Sequence, residues 1–216
     1  MLQKKSVKRA LWDLLVNLQN SEIFKDYFLV GGTSLSLQMG HRMSDDIDLF
    51  TRKDINKEEI FNYLNINYYG KYQIHNIQNN ILQISINNNK IDFVKHDYDF
   101  IEEIKNENGI KYLGKKDISA MKLMAVANRG DQAKDFIDIY YLLKKIKLED
   151  MFKYYMVKYN QKDISAIKRS LVYFDDVTDS NWSAIKLLKD KLSAEKIKNT
   201  IIKKMNNYNK NIIECQ

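Results

Sequence analysis

Residues 27–50 read YFLVGGTSLSLQMGHRMSDDIDLF, and the fold turns on this stretch. Tyr27 to Val30 form a short apolar run that stops at Gly31-Gly32, the pattern of a buried strand entering a turn. A short helix is expected from Thr33 or Ser34. Asp46, Ile47, Asp48 and Leu49 then alternate polar with apolar, which is the period of a strand that buries one face. The two aspartates share the other face.

Working outward, Ile81 to Ile86 and Lys90 to Val94 are two more alternating runs. Asn87-Asn88-Asn89 joins them into a hairpin, because asparagine tolerates positive φ. Residues 72–77 add a strand before it. The start of the chain reads as an amphipathic helix with Val7, Leu11, Leu15 and Leu18 on one face. Beyond Asp117 the period becomes helical. Asp117 is expected to cap a helix over residues 118–128, which Gly130-Asp131 breaks. A second helix over 132–146 carries Phe136, Ile139, Tyr140 and Leu143, and further helices are expected near 149–160, 163–174, 181–192 and 194–207. Asp163, Thr178 and Ser193 are their candidate starts. The expected class is α+β: a mixed sheet with helices over residues 1–114, then a helical bundle over 115–216.

Two carboxylates side by side on one strand repel unless a positive charge stands between them. Mg²⁺ suits Asp46 and Asp48, because it takes oxygen ligands from one or two carboxylates together with substrate phosphates. Asp92, between Ile91 and Phe93, faces away from the apolar side in the same manner. Three such acids on adjacent strands suit a two-metal site for displacement at phosphorus. A solvated strand edge would show the same alternation, so the pattern draws its weight from the turn before it. Gly31, Gly32, Thr33 and Ser34 stand at a strand-to-helix junction, where glycines allow close backbone approach and amide groups receive phosphate oxygens. A plain glycine turn with a hydroxyl cap is the competing reading. Lys122 interrupts an apolar helix face and Arg129 follows seven residues later, so the two cations are candidate phosphate contacts, or else snorkelling side chains. Asp135 and Asp138, three apart on the next helix, are placed to orient Lys122 or an attacking hydroxyl, or to form an ordinary ion pair.

Composition bounds the rest. With 44 % hydrophobic and 29 % charged residues the chain is an ordinary globular protein. No run of about 20 apolar residues spans a bilayer and the start lacks a signal-peptide pattern, so a cytoplasmic protein is expected. The single cysteine, Cys215, closes no internal disulfide and is expected on a frayed terminus. Charge is uneven: residues 145–216 hold 15 of the 35 basic residues against 9 of the 28 acidic ones, which is +6 of the net +7. A basic segment behind a neutral, acid-bearing one suits an enzyme acting on a polyanion, although a solvated lysine surface has the same composition.

The run from Val30 to Leu35 followed by His41-Arg42-Met43-Ser44-Asp45-Asp46-Ile47-Asp48-Leu49-Phe50 resembles the first motif of the AbiEii-type nucleotidyltransferase toxins, within the DNA polymerase β-like superfamily. Lys90-Ile91-Asp92-Phe93 resembles their second motif, Asp117 to Leu123 through Arg129 the third, and Asp135 to Tyr140 the fourth. The match spans residues 28–142 in order. It implies a nucleotidyltransferase-type sheet at the N-terminus and an enzyme that uses a nucleoside triphosphate and Mg²⁺, with two ions expected. The enzyme would be the toxin of an abortive-infection or toxin-antitoxin pair, with RNA such as the 3′ end of tRNA as acceptor and a cognate antitoxin as a possible partner. By the same resemblance Asp46 and Asp48 are metal ligands with Asp92 as the third carboxylate, Gly31 to Ser34 form the triphosphate cradle, Lys122 is a phosphate contact and Asp138 an essential acid. The helical part would complete the site and bind the acceptor. Two other readings stay open: a small-molecule or protein hydroxyl as acceptor, and a nucleotide-binding module that transfers nothing.

Overall fold

The computed structural model describes residues 1–214, so Cys215 lies outside the described residues. The chain divides into two compact units, Met1–Asp99 with Glu103–Gly114, and Phe100–Glu102 with the chain from Lys115 onward.

The first unit is built on a seven-stranded mixed sheet. Its strands are β1 (Phe28–Leu29), β2 (Asp46–Thr51), β3 (Tyr72–Gln78), β4 (Ile81–Ile86), β5 (Asn89–Lys95), β6 (Lys105–Glu107) and β7 (Ile110–Tyr112), in the order β3-β4-β5-β2-β1-β7-β6. β2 runs parallel to β5 and β1 parallel to β7, while the remaining neighbours are antiparallel. The β4–β5 and β6–β7 hairpin turns follow from residues that accept left-handed backbone: Asn87 and Asn88 at φ 49° and 63°, and Asn108 and Gly109 at φ 57° and 78°. Asn89 is thus the first residue of β5 rather than part of the turn. The alternation in β2 and β4 is complete, with Ile47, Leu49, Leu82, Ile84 and Ile86 all fully buried. Helix α1 (Arg9–Gln19) lays Leu11, Leu14, Leu15 and Leu18 into the same core. There Phe24 stacks on Phe93 at 5.2 Å between ring centres.

Helix α2 (Gly31–Met39) begins at Gly31, two residues before the expected start, and stops at Gly40 in the left-handed region. Three elements escape the sequence reading. Helix α3 (Lys57–Tyr68) is capped by Asn56, whose side chain accepts from the Glu59 amide at 3.2 Å. Strands β6 and β7 are each three residues long, too short for a period to register.

The second unit is helical: α4 (Lys115–Arg129), α5 (Ala133–Leu142), α6 (Leu148–Tyr159), α7 (Ser165–Leu171), α8 (Asp179–Ser183) and α9 (Ala194–Glu214). α4 packs on α5, α6 and α7, and α9 on α5 and α6. Thr178 caps α8 and Ser193 accepts from the Lys196 amide, as their sequence positions suggest. Asp163 accepts from the Ser165 amide just ahead of α7. Two expectations are corrected. Asp117 lies inside α4 rather than capping it, and its carboxylate accepts from the amides of Ile101 and Glu102, pinning that segment to the helix. The helix expected over 181–192 is the five-residue α8, after which the chain is irregular. Among the described residues no helix is long and apolar enough to cross a membrane.

Candidate active site

The parallel pairing of β2 with β5 sets Asp48 opposite Asp92 and Asp46 opposite Lys90. In-register neighbours on adjacent strands are about 4.8 Å apart, so Asp48 and Asp92 form one row, with Asp46 one pleat before it on the same face. All three are half-buried. One oxygen of Asp92 is engaged: Gln83 Nε2, from the facing position on β4, donates to Oδ2 at 2.9 Å, and Lys90 Nζ lies 3.3 Å from the same atom. The other, Oδ1, is buried and has no hydrogen-bond partner. Leaving such an acceptor unsatisfied costs about 1–3 kcal/mol, a cost that a bound cation would remove.

Among the described residues no three His, Cys, Asp or Glu side chains make a ready metal cluster. The three acids expected to hold a metal thus form a row with one carboxylate half occupied by Lys90 and Gln83, instead of a closed cage. The donor set still fits Mg²⁺, which needs only one or two carboxylates beside its substrate oxygens. The orphaned Asp92 oxygen is the atom that fits it.

The glycine turn is packed against this row. Val30 N donates to the Asp48 carbonyl at 2.9 Å, which draws the end of β1 onto β2. Gly31 has φ +66°, and a Cβ there would overlap Asp48 Oδ2. A Cβ on Gly32 would overlap Arg42 Nη2. The hydroxyls expected to hold phosphate have other tasks. Thr33 Oγ1 bonds to the Asp46 carbonyl and, at 2.8 Å, to Ser44 Oγ. Ser34 Oγ donates to the Leu113 carbonyl at 3.2 Å. Both residues are buried, so their side chains tether α2 to β2 and to the end of β7. What the cradle offers a ligand is backbone.

In the second unit Lys122 Nζ on α4 lies 2.6 Å from Asp135 Oδ1 and 2.7 Å from Asp138 Oδ2 on α5. The ammonium therefore answers both acids, with side-chain exposures of 8, 3 and 0 %. Arg129 Nη2 adds a longer contact to Asp135, at 3.7 Å, and its side chain is more than half exposed. Deeper still, Lys158 Nζ on α6 bonds Asp117 Oδ1 at 2.8 Å with both side chains fully buried. The sequence reading missed Lys158, Gln83 and the burial of Arg42. Gln83 sits on the polar side of an alternating run, and Arg42 sits inside the first motif, so both positions were legible while their contacts were not.

An acid-bearing mixed sheet with a glycine turn against its central strands is the nucleotidyltransferase fold. A putative nucleotidyltransferase from H. pylori shares it at TM-score 0.57 and 18 % identity, covering 100 % of this chain and 99 % of that one. MenT4, a nucleotidyltransferase toxin from Mycobacterium tuberculosis H37Rv, shares it at TM-score 0.58 and 12 % identity, covering 91 % and 80 %. Residues 13–203 match the family described as nucleotidyl transferase AbiEii toxin, Type IV TA system. An uncharacterized protein of Aquifex aeolicus (strain VF5) is 31 % identical over 185 residues, 84 % of this chain and 89 % of that protein. The chain belongs to the AbiEii nucleotidyltransferase toxin family, and it is a nucleotidyltransferase.

Proposed function

We propose that this nucleotidyltransferase moves a nucleotide, with Mg²⁺, from a nucleoside triphosphate to RNA. The favoured acceptor is the 3′ end of tRNA, and the setting is a cytoplasmic toxin restrained by a cognate antitoxin. The observation that supports the metal reading is the row of Asp48 and Asp92 with its buried, unpartnered oxygen. Asp46, Asp48 and Asp92 are the residues that would hold the ion. Bound Mg²⁺ supplies neutralisation of phosphate charge and activation of the attacking hydroxyl.

The chain's own groups do the positioning. The amides at the start of α2 receive phosphate oxygens, with the partial positive charge of the helix end behind them. Thr33 and Ser34 hold that helix end in place through their buried hydrogen bonds. Lys122 and Arg129 are assigned to phosphate charge, and Asp138 together with Asp135 to holding Lys122. As the acceptor hydroxyl bonds to the α-phosphorus, the bond to pyrophosphate breaks. For an RNA acceptor the support is the basic last third, where Lys196 and Lys203 line one groove of about 390 Å³ with Asn199 and Thr200 on α9. Incubation with each α-labelled triphosphate, Mg²⁺ and total tRNA tests the reading. Mg²⁺-dependent label in the RNA is expected. Label in protein instead would overturn the acceptor, and no transfer with any triphosphate and any acceptor would overturn the metal and donor assignment.

A further inference from the structure

The two glycines of the turn serve a second purpose, legible in what surrounds them. Arg42 is 3 % exposed, an unusual place for a guanidinium. Its Nη1 donates to the Met43 carbonyl at 2.9 Å. Its Nη2 lies over Gly32, in the volume that any other residue's Cβ would fill, with Ser44 Oγ 3.6 Å from that same point. The neighbouring Gly31 admits the Asp48 carboxylate in the same manner. One dipeptide thus seats a cation on one residue and an acid on the next. The loop that carries Arg42 is itself anchored: Ser44 N donates to the Ser6 carbonyl at 2.9 Å, and Ser44 Oγ bonds Thr33.

We propose that Arg42 is a triphosphate-binding residue of the nucleotide site, and that residue 32 is glycine in order to admit its guanidinium rather than only to let backbone approach phosphate. This inference rests on the nucleotide site proposed above. A planar guanidinium with five donors matches phosphate oxygens better than any other side chain, and a buried one is held ready at little further entropic cost. It stands beside the carboxylate row, where a polyanion bridged by a cation needs positive charge on its other side.

A double-mutant cycle on binding separates this role from mere packing. The overlapping atom is the far end of a side chain, so Gly32→Ala moves the arginine and spares the backbone. Gly32→Ala and Arg42→Gln are each expected to weaken binding of a nucleoside triphosphate, and of inorganic tripolyphosphate, about tenfold or more, since charged hydrogen bonds are lost. The double variant should bind no worse than Arg42→Gln alone. Arg42→Lys, which keeps the charge, should recover part of the loss, and binding of the unphosphorylated nucleoside should not change. Thermal midpoints are recorded for every variant; if Arg42→Gln does not fold, the cycle is run on Arg42→Lys. Additive losses would show that glycine serves backbone approach, and unchanged tripolyphosphate binding in a folded Arg42 variant would make the arginine structural. Either result overturns the proposal and leaves the nucleotide site standing. Failure of the wild-type protein to bind triphosphate or tripolyphosphate would overturn both.

Discussion

The two units treat buried charge in opposite ways. In the helical unit Lys122 answers Asp135 and Asp138, and Lys158 answers Asp117, which has two backbone amides besides. In the sheet unit Asp92 keeps a buried oxygen without a partner on a row that holds two more acids. A closed ion cluster holds helices together. The unsatisfied Asp92 oxygen carries a cost that a bound cation would relieve, which is the ground for the metal site proposed there.

The contrast breaks most visibly through activity. Asp48→Asn is expected to lower transfer by at least about a thousandfold, several kcal/mol of transition-state charge stabilisation, while the Mg²⁺-free thermal midpoint does not fall below that of wild type. Transfer within a few-fold of wild type would end the metal-site reading. On the closed side, Lys122→Met leaves two buried carboxylates facing each other and should cost about 3–5 kcal/mol in denaturant unfolding, with Lys122→Arg costing less. A loss below about 1 kcal/mol would show that the cluster is solvated.

Smaller effects sharpen the comparison. Asp46→Asn removes repulsion from the carboxylate row, so it should raise the Mg²⁺-free thermal midpoint by a few degrees and reduce the stabilisation that added Mg²⁺ gives. No change in either would argue against a shared ion. Replacing Lys189, Lys196 and Lys203 with Gln should flatten the slope of log RNA affinity against log salt by about one unit for each phosphate that the variant no longer neutralises, and leave triphosphate binding alone. An unaltered slope removes these lysines from the acceptor site.

The smallest effect concerns Asp190. Hydrogen bonds from Lys144 at 2.9 Å and Tyr141 at 3.1 Å hold its carboxyl below the usual range. A depressed folded-state pKa means a contribution present above the unfolded value, near 3.9, and lost as pH falls through the folded one. Because this group is largely exposed, Asp190→Asn should cost well under about 1 kcal/mol at neutral pH, and progressively less as the pH falls below the ordinary carboxylate range. A cost that does not change with pH would mean that the interaction is one of packing.

Much of this was legible from residue order. Alternation over 46–50, 81–86 and 90–94 carries strand identity and face together, because a strand has period two whatever its neighbours are. The family motifs from Gly31 to Tyr140 also need no coordinates. What local pattern could not carry was anything short or non-local. β7 has three residues and is a strand because β6 pairs with it antiparallel on one side and β1 lies parallel to it on the other. Asp117 looks like a helix cap because capping is local, yet its partners are a segment about 15 residues earlier and Lys158, which is 41 residues later. The hydroxyls of Thr33 and Ser34 suit phosphate by composition, and packing turns them inward.

Sequence by itself determined the class of fold, the order of the motifs and which face each acid occupies, since periodicity and turn chemistry are properties of neighbours along the chain. Only the tertiary structure decided the register that sets Asp48 beside Asp92, the ammonium that closes the Asp135 and Asp138 pair, and the guanidinium seated on Gly32. Each of these joins residues more than ten positions apart or turns on a missing Cβ, and contacts of that kind are settled by packing.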